Sequence, residues 1–291
     1  MDSLLITGGS GFLGGHLAAA EPVNTFVTYH KTPIEGLTNV VELDITNSEA
    51  TKTVIADLKP KTIIHTAALA NMDFCIEHQE AAWQANVIGT KNIVLAAEQV
   101  NARVIFISTD LVFQGDKSFY SEDDIPTPLC YYGKTKLEAE KFVSKISSNY
   151  CIIRSAIIYG WSVNSSQVFT ETMIKQLKLG NQVNLFVDEY RSPIYIKNLC
   201  AILLELARRD ELQGLYHICS PTRVSRFQFG LELADIWGFD KKLIVPTSVE
   251  NFSFKDFRPK DCSMNNKKAE SVLKTRFWNI REGLIDMKRF S

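Results

Sequence analysis

Short apolar runs alternate with amphipathic stretches through the first half of the chain. Residues 4–7, 25–29, 40–43, 62–65, 104–108 and 151–154 are brief and rich in Val, Ile, Thr and Phe. Nearly continuous apolar runs of this length are what strands buried on both faces require. Between them, residues at about 12–20, 48–58, 77–99 and 132–147 carry apolar positions at helical spacing. Ser48 reads as the N-cap of the second helix, with acidic Glu49 in its first turn. Strand–helix alternation of this kind predicts an α/β fold with a doubly wound parallel sheet, the Rossmann arrangement.

Beyond residue 160 the pattern loosens. Helices are expected near 167–179, 196–208 and 225–237, separated by loops carrying Pro193, Pro221 and Pro246. Apolar runs at 183–187 and 215–219 are candidates to extend the main sheet. The chain is expected to divide into a Rossmann domain over 1–160 and a smaller cap over 161–291, partly interleaved with the sheet. Ligands of such sheets bind beyond the carboxyl ends of the strands, so the strand ends carry the chemistry.

Composition narrows the classes. With 32 basic and 33 acidic residues among 291, the net charge is −1, which argues against nucleic acid or an anionic membrane as partner. The six cysteines form no C-x-x-C pair and the five histidines no H-E-x-x-H, so no metal site is expected and the thiols read as reduced, in a cytoplasmic setting. The first residues lack the basic flank and cleavage site of a signal peptide. No apolar run reaches the roughly 20 residues of a membrane span.

The first strand runs into Gly8-Gly9-Ser10-Gly11-Phe12-Leu13-Gly14, which satisfies G-x-G-x-x-G through Gly9, Gly11 and Gly14. Such a turn brings backbone amides and a helix N-terminus against a pyrophosphate. The second strand ends in His30-Lys31, where an NAD site usually presents an acid to the ribose; Glu35 comes too late. Lys31, with His30, is therefore assigned to a 2′-phosphate, which favours NADP (as NADPH) and leaves NAD as the alternative. Asp44 with Ile45 is placed at the adenine edge. Small side chains at Ala67-Ala68, followed by Leu69, would let a cofactor ribose approach the sheet.

The fifth strand ends Ser108-Thr109-Asp110, and Tyr132-Gly-Lys-Thr-Lys136 follows. In a helix, Tyr132 and Lys136 share a face. A fixed cation should lower a phenol pKa that is ordinarily roughly 10 and fit it for proton transfer. Thr109 is expected to bond a substrate carbonyl, with Ser108 its competitor after a one-residue shift. Tyr131 competes with Tyr132 but has no Lys four residues on. Asn86, in a helix, is expected to hold backbone or water behind Lys136, or to be purely structural. Substrate-side candidates are Asn71, Phe113, Trp161, Tyr190, Arg191 and Arg258, the two arginines as bidentate partners for a diphosphate.

As a set these residues resemble the extended short-chain dehydrogenase/reductase family, and within it the dTDP-4-dehydrorhamnose reductase-like branch. The carriers are Thr7-Gly-Gly-Ser-Gly-Phe-Leu-Gly14, His65-Thr-Ala-Ala68 with Asp73-Phe-Cys-Ile-Glu77, Asn86-Val-Ile-Gly-Thr90, Ser108-Thr-Asp-Leu-Val-Phe-Gln-Gly115 and Tyr132-Gly-Lys-Thr-Lys-Leu-Glu-Ala-Glu140, with weaker support from Arg191-Ser-Pro-Ile-Tyr195 and Arg258-Pro-Lys-Asp261. The resemblance implies a catalytic trio of Thr109, Tyr132 and Lys136, and pyrophosphate contacts from Gly8, Gly11, Phe12 and Leu13. It implies NADPH-dependent reduction of the 4-keto group of a nucleotide-linked deoxysugar, with a homodimer as a possible assembly. Leu111 stands where the family's dehydratases carry Glu, which counts against dehydration, and where its rhamnose reductases usually carry Tyr, which leaves the sugar open. A nucleotide-sugar epimerase with retained NAD is one alternative. A non-catalytic NADP-binding regulatory subunit, like the methionine adenosyltransferase beta subunit, is the other.

Overall fold

In the computed structural model, which describes residues 3–21, 24–34, 36–37, 39–163 and 168–290, seven parallel strands form one sheet. They are β1 (Leu4–Thr7), β2 (Thr25–Tyr29), β3 (Val40–Glu42), β4 (Thr62–His65), β5 (Arg103–Thr109), β6 (Tyr150–Ser155) and β7 (Gly214–Ile218), in the order β7-β6-β5-β4-β1-β2-β3. The eight longer helices are α1 (Phe12–Ala20), α2 (Ser48–Leu58), α3 (Gly89–Gln99), α4 (Tyr131–Ile146), α5 (Phe169–Lys178), α6 (Ile196–Ala207), α7 (Arg226–Trp237) and α8 (Ile280–Arg289).

The two-residue period of a strand explains why these runs are apolar throughout. Leu4, Ile6, Ile64, Ile105 and Ile153 face one side and pack on Leu13 and Leu17 of α1 and on Leu199, Ile202 and Leu203 of α6. Leu5, Ile63, Val104, Phe106 and Ile152 face the other and pack on Ile55 of α2, Ile93 and Val94 of α3, and Ala139 and Val143 of α4. Strand order reverses between β1 and β4, and that reversal opens the crevice used by ligands of such sheets. In register, Thr7 of β1 lies opposite His65 of β4, and His65 opposite Phe106 of β5. Strand β5 therefore runs three residues past β4 and carries Thr109, still paired with Ser155 of β6, to the crevice end of the sheet.

Three expectations about elements change. The run at 215–219 joins the main sheet as β7, but the run at 183–187 does not. Residues Val183–Phe186 pair instead with Ile244–Thr247 in a separate two-stranded ribbon. The N-cap of α2 is Asn47, whose side chain accepts the Ala50 N–H at 3.1 Å, not Ser48. The expected helix over 77–99 is broken into Met72–Glu77, Gln79–Trp83, a π-helical turn at Gln84–Ile88, and α3. Among the described residues, no helix is long and apolar enough to cross a membrane.

Candidate active site

A cleft of about 580 Å³ opens at the carboxyl ends of β1, β4, β5 and β6. Gly11–Gly14, Thr66, Ala68, Thr109, Tyr132, Ser155 and Arg258 are among the residues that line it. The glycine turn forms one wall. Gly8 has φ +74°, and a Cβ on it would lie 2.7 Å from Ala67 Cα. A Cβ on Gly14 would lie 2.3 Å from the Gly8 carbonyl oxygen. Turn, helix and β4 loop are thus in backbone contact. Ala67 is small because Gly8 sits against it, and Ala68 is the neighbour that lines the cleft. Gly11 caps α1 with extended backbone, which leaves the helix N-terminus facing the cleft. This cradle, closed to a Cβ at Gly8 and Gly14 and ending in helical amides, fits a dinucleotide pyrophosphate.

At the far end of that wall, His30 and Lys31 are exposed. His30 Nε2 stands 3.6 Å from Asp44 Oδ2. Burial pushes the Asp44 carboxyl up, but the Thr46 N–H and hydroxyl, with His30 and Lys31 nearby, hold it below its usual range. Ile45 is buried under Gly89, and its carbonyl accepts from Asn92 at 2.9 Å. The Leu69 N–H donates to Asn86 Oδ1 at 2.8 Å, and its carbonyl accepts from Asn86 Nδ2 at 2.9 Å. Asn86 also reaches Thr135 Oγ1 at 3.0 Å, one turn from Tyr132. It holds backbone, and it ties the β4 loop to the start of α4. The π-helical turn is what aims this amide inward.

Gly133 lets α4 start where it does: a Cβ there would lie 2.1 Å from the Leu111 carbonyl oxygen. The helix start therefore seats directly on the turn after β5, and Tyr132 and Thr109 share the cleft. Geometry separates the competing residues. Tyr131 donates to the Gln79 carbonyl at 3.2 Å, on the outside. The Ser108 hydroxyl donates to Glu140 Oε1, which is also gripped by Arg154 Nε at 3.0 Å. Ser108 lines the cleft with Tyr132 and Thr109, but its hydroxyl hydrogen goes to the buried Glu140 carboxyl.

The electrostatics run against one expectation. Burial, then the neighbouring Cys75 and Asp110, push the Tyr132 phenol well above its usual range. Lys136 Nζ lies 4.1 Å from the Phe106 ring centroid, and burial pushes it down to about 7 against the pull of Glu140. In this arrangement the phenol is a fully protonated acid at neutral pH. His65, hydrogen-bonded through Nδ1 to Thr7 Oγ1 at 2.7 Å, is kept neutral by burial and by Lys136.

Several substrate-side assignments need correction. Phe113 has no exposed surface; it stacks on Tyr120 with centroids 4.1 Å apart and belongs to a core cluster. Trp161 lies off the cleft lining and gives its indole N–H to the Met287 carbonyl at 2.7 Å. Tyr190 is off it too, under the Arg223 guanidinium. Arg191 lines the cleft, but its donors are already taken by the Tyr190 carbonyl at 2.7 Å, the Pro259 carbonyl at 3.0 Å and Glu189 at 3.1 Å. It cannot also take a diphosphate bidentately. Asn71 lines the cleft while its side chain caps the helix at Met72. Arg258 lines it too, paired with both Asp73 oxygens at 3.0 and 3.1 Å.

Sequence reasoning missed Glu189, Arg226 and Asp110 as cleft residues. Arg226 Nε bonds Glu189 Oε2 at 2.8 Å. Burial pushes Glu189 up, but Arg226 and Arg191 hold it ionised, at about 2. Glu189, Arg226 and Arg258 also border a second compartment of about 500 Å³, lined by Phe169, Leu185, Phe186 and Phe254. No spacing in the sequence marks a Glu and an Arg 37 positions apart as partners.

Residues 1–289 match the family model described as the RmlD substrate binding domain. A dTDP-4-dehydrorhamnose reductase of Aggregatibacter actinomycetemcomitans is 32% identical over 241 residues, covering 81% of this chain and 79% of that protein. Methionine adenosyltransferase 2 subunit beta of Xenopus tropicalis is 28% identical over 251 residues, covering 84% and 75%. A solved dTDP-4-dehydrorhamnose reductase of Bacillus anthracis, in complex with NADP, superposes with a TM-score of 0.89 at 28% identity, covering 100% of this chain and 99% of that one.

Proposed function

We propose a function from one premise: the chain belongs to the family of the RmlD substrate binding domain, a branch of the extended short-chain dehydrogenases/reductases. It is an NADPH-dependent ketoreductase that reduces the 4-keto group of a nucleotide-linked deoxysugar. The observation that carries the reading is the meeting of the glycine cradle, the Thr109 hydroxyl and a protonated Tyr132 in one cleft.

In this reading residues 1–160 hold the cofactor and residues 161–291 the sugar nucleotide. Gly8, Gly11, Phe12 and Leu13 hold the pyrophosphate, Ala67, Ala68 and Leu69 border the ribose, and Asp44 with Ile45 lies by the adenine. Bound there, the nicotinamide supplies the hydride. Tyr132 protonates the carbonyl oxygen as charge develops on it, and Thr109 orients that oxygen. Lys136 leaves the Phe106 ring for the nicotinamide ribose. Arg258 and Arg226 border the passage between the two compartments, so the diphosphate lies against them and the base enters the aromatic one. Asn71 faces the sugar. A homodimer in the cytoplasm completes the reading; all six thiols are free and buried, as a reducing compartment allows.

The test is NADPH oxidation against dTDP-, UDP- and GDP-linked 4-keto-sugars. Steady turnover on at least one supports the reading, and none on any refutes it. Relatives among the methionine adenosyltransferase beta subunits favour a second reading, a cofactor-binding regulatory subunit. It expects no turnover and co-purification with a catalytic partner.

Lys31→Ala is expected to weaken NADPH binding by about tenfold, the contribution of one charge-assisted phosphate contact, and to leave NADH within about twofold. Titrations of both cofactors by fluorescence check this. Equal losses for both would remove the 2′-phosphate assignment.

A further inference from the structure

Thr109 is expected to give a hydrogen to the substrate carbonyl, but its hydrogen is already committed. A threonine hydroxyl has one hydrogen and two lone pairs. The Thr109 hydroxyl donates to Asp110 Oδ1 at 3.1 Å. The same oxygen accepts the Leu111 N–H at 3.2 Å. What is left for the cleft is a lone pair, which repels a developing oxyanion. Asp110 is 4% exposed, its Oδ2 has no hydrogen bond, and the nearest cation is Arg191, with Nε 3.6 Å from Oδ2.

We propose that Asp110 is a positioning residue that decides, by gaining or losing a proton, whether Thr109 offers the cleft a hydrogen or a lone pair. With Asp110 ionised, Oδ1 takes the Thr109 hydrogen, and the hydroxyl can only accept. With Asp110 protonated, its O–H donates to Thr109 Oγ1 and the Leu111 N–H keeps the other lone pair. The Thr109 hydrogen then turns to the carbonyl oxygen. One proton thus favours ketone reduction when present and disfavours it when absent. The inference rests on the ketoreductase reading for its catalytic consequence, but not for the Thr109–Asp110 coupling.

The surroundings allow this titration to stand out. Burial pushes Asp110 up to about 6, Arg191 and the Thr109 hydroxyl pull it down, Glu189 pushes it up and Arg226 pulls it down. Tyr132 and Cys130 face it from the start of α4, with Cys219 and Cys262 behind; burial pushes all four up, so they stay neutral in this range. Glu189 and Arg191 stay charged. Burial pushes Lys136 down to about 7 where it lies over the Phe106 ring.

Two measurements on the NADPH-bound protein test the inference. Carbon-13 NMR of labelled aspartate follows the Asp110 carboxyl, identified by its loss in Asp110→Asn. In Thr109→Val, which removes the hydrogen bond to the ionised carboxylate, its midpoint should rise by about half a pH unit or more. An unchanged midpoint overturns the inference. In rate profiles from pH 5 to 8, wild-type kcat for ketone reduction should fall about tenfold as Asp110 loses its proton. Thr109→Val and Asp110→Asn should both lose that step; Thr109→Ser should retain it. A step surviving in Thr109→Val overturns the inference. Wild type inactive at every pH sinks the ketoreductase reading instead, whatever the midpoint does.

Discussion

Tyr132→Phe should lower kcat for keto-sugar reduction by about a thousandfold, the range of a positioned general acid, while the Kd for NADPH stays within about twofold. The substitution removes one oxygen and keeps the ring that lines the cleft. Its effect on the fold is small, because the local scaffold uses other atoms of the residue: the Tyr132 carbonyl accepts from Thr135 at 2.8 Å. The glycine turn proposed to hold the cofactor is a separate part of the cleft lining. The loss should therefore fall on kcat. Steady-state rates with fluorescence titration of NADPH separate the two. The pH dependence follows from burial: the phenol is held far above neutrality, so the acid stays loaded through pH 8 and its own titration should leave no step below that. Tyr131→Phe loses only an external bond to Gln79 and is the matched control. If Tyr132→Phe retained a tenth of the rate, the proton would have to come from elsewhere.

What the sequence carried best was whatever depends on short-range pattern. Every strand of the first half lies within a residue or two of its apolar run, because a strand buried on both faces leaves no other reading of Leu4-Leu-Ile-Thr7 or Thr62-Ile-Ile-His65. The cradle was equally legible: glycines at fixed offsets report a backbone with no room for a Cβ. Side chains whose fate is set by distant partners were not legible. Arg191 has the chemistry of a diphosphate ligand, yet Glu189 and the Pro259 carbonyl claim it. Phe113 has the chemistry of a stacking surface, yet Tyr120 and Arg154 sandwich it in the core. The π-helical turn at Gln84–Ile88 has no propensity signature, since it is held by the bonds of Asn86 to Leu69 and Thr135. In the sequence Asp110 is only the residue between Thr109 and Leu111. Its hydrogen bond to the neighbouring hydroxyl needs the backbone conformation to be known.

Gly8→Ala should raise the Kd for NADPH by about a hundredfold or more, roughly 2.7 kcal/mol, and lower the melting temperature well beyond the cost of its backbone angle. The separation of these effects comes from a second glycine in the same conformation. Gly180, just past α5, also has φ +74°, and a Cβ there meets nothing within 4 Å. Gly180→Ala therefore measures left-handed strain alone, about 1 kcal/mol, or a melting shift of about 2–4 °C for a chain of this size. Gly8→Ala carries the same strain and adds a carbon 2.7 Å from Ala67 Cα and 2.8 Å from Ala67 N. These are backbone atoms at the end of a central strand, so no rotamer relieves the clash. Either the turn lifts away from β4 or the β4 loop retreats. The first removes the amides from the pyrophosphate, and the second displaces Ala68 and the Leu69 backbone that Asn86 ties to the Tyr132 helix. Both outcomes weaken NADPH, and the second also lowers kcat at saturating cofactor, so the kinetic split identifies which side moves. Equal melting shifts in the two variants, with NADPH affinity intact in Gly8→Ala, would mean that the turn can yield without opening, and the cradle would lose its claim on the cofactor.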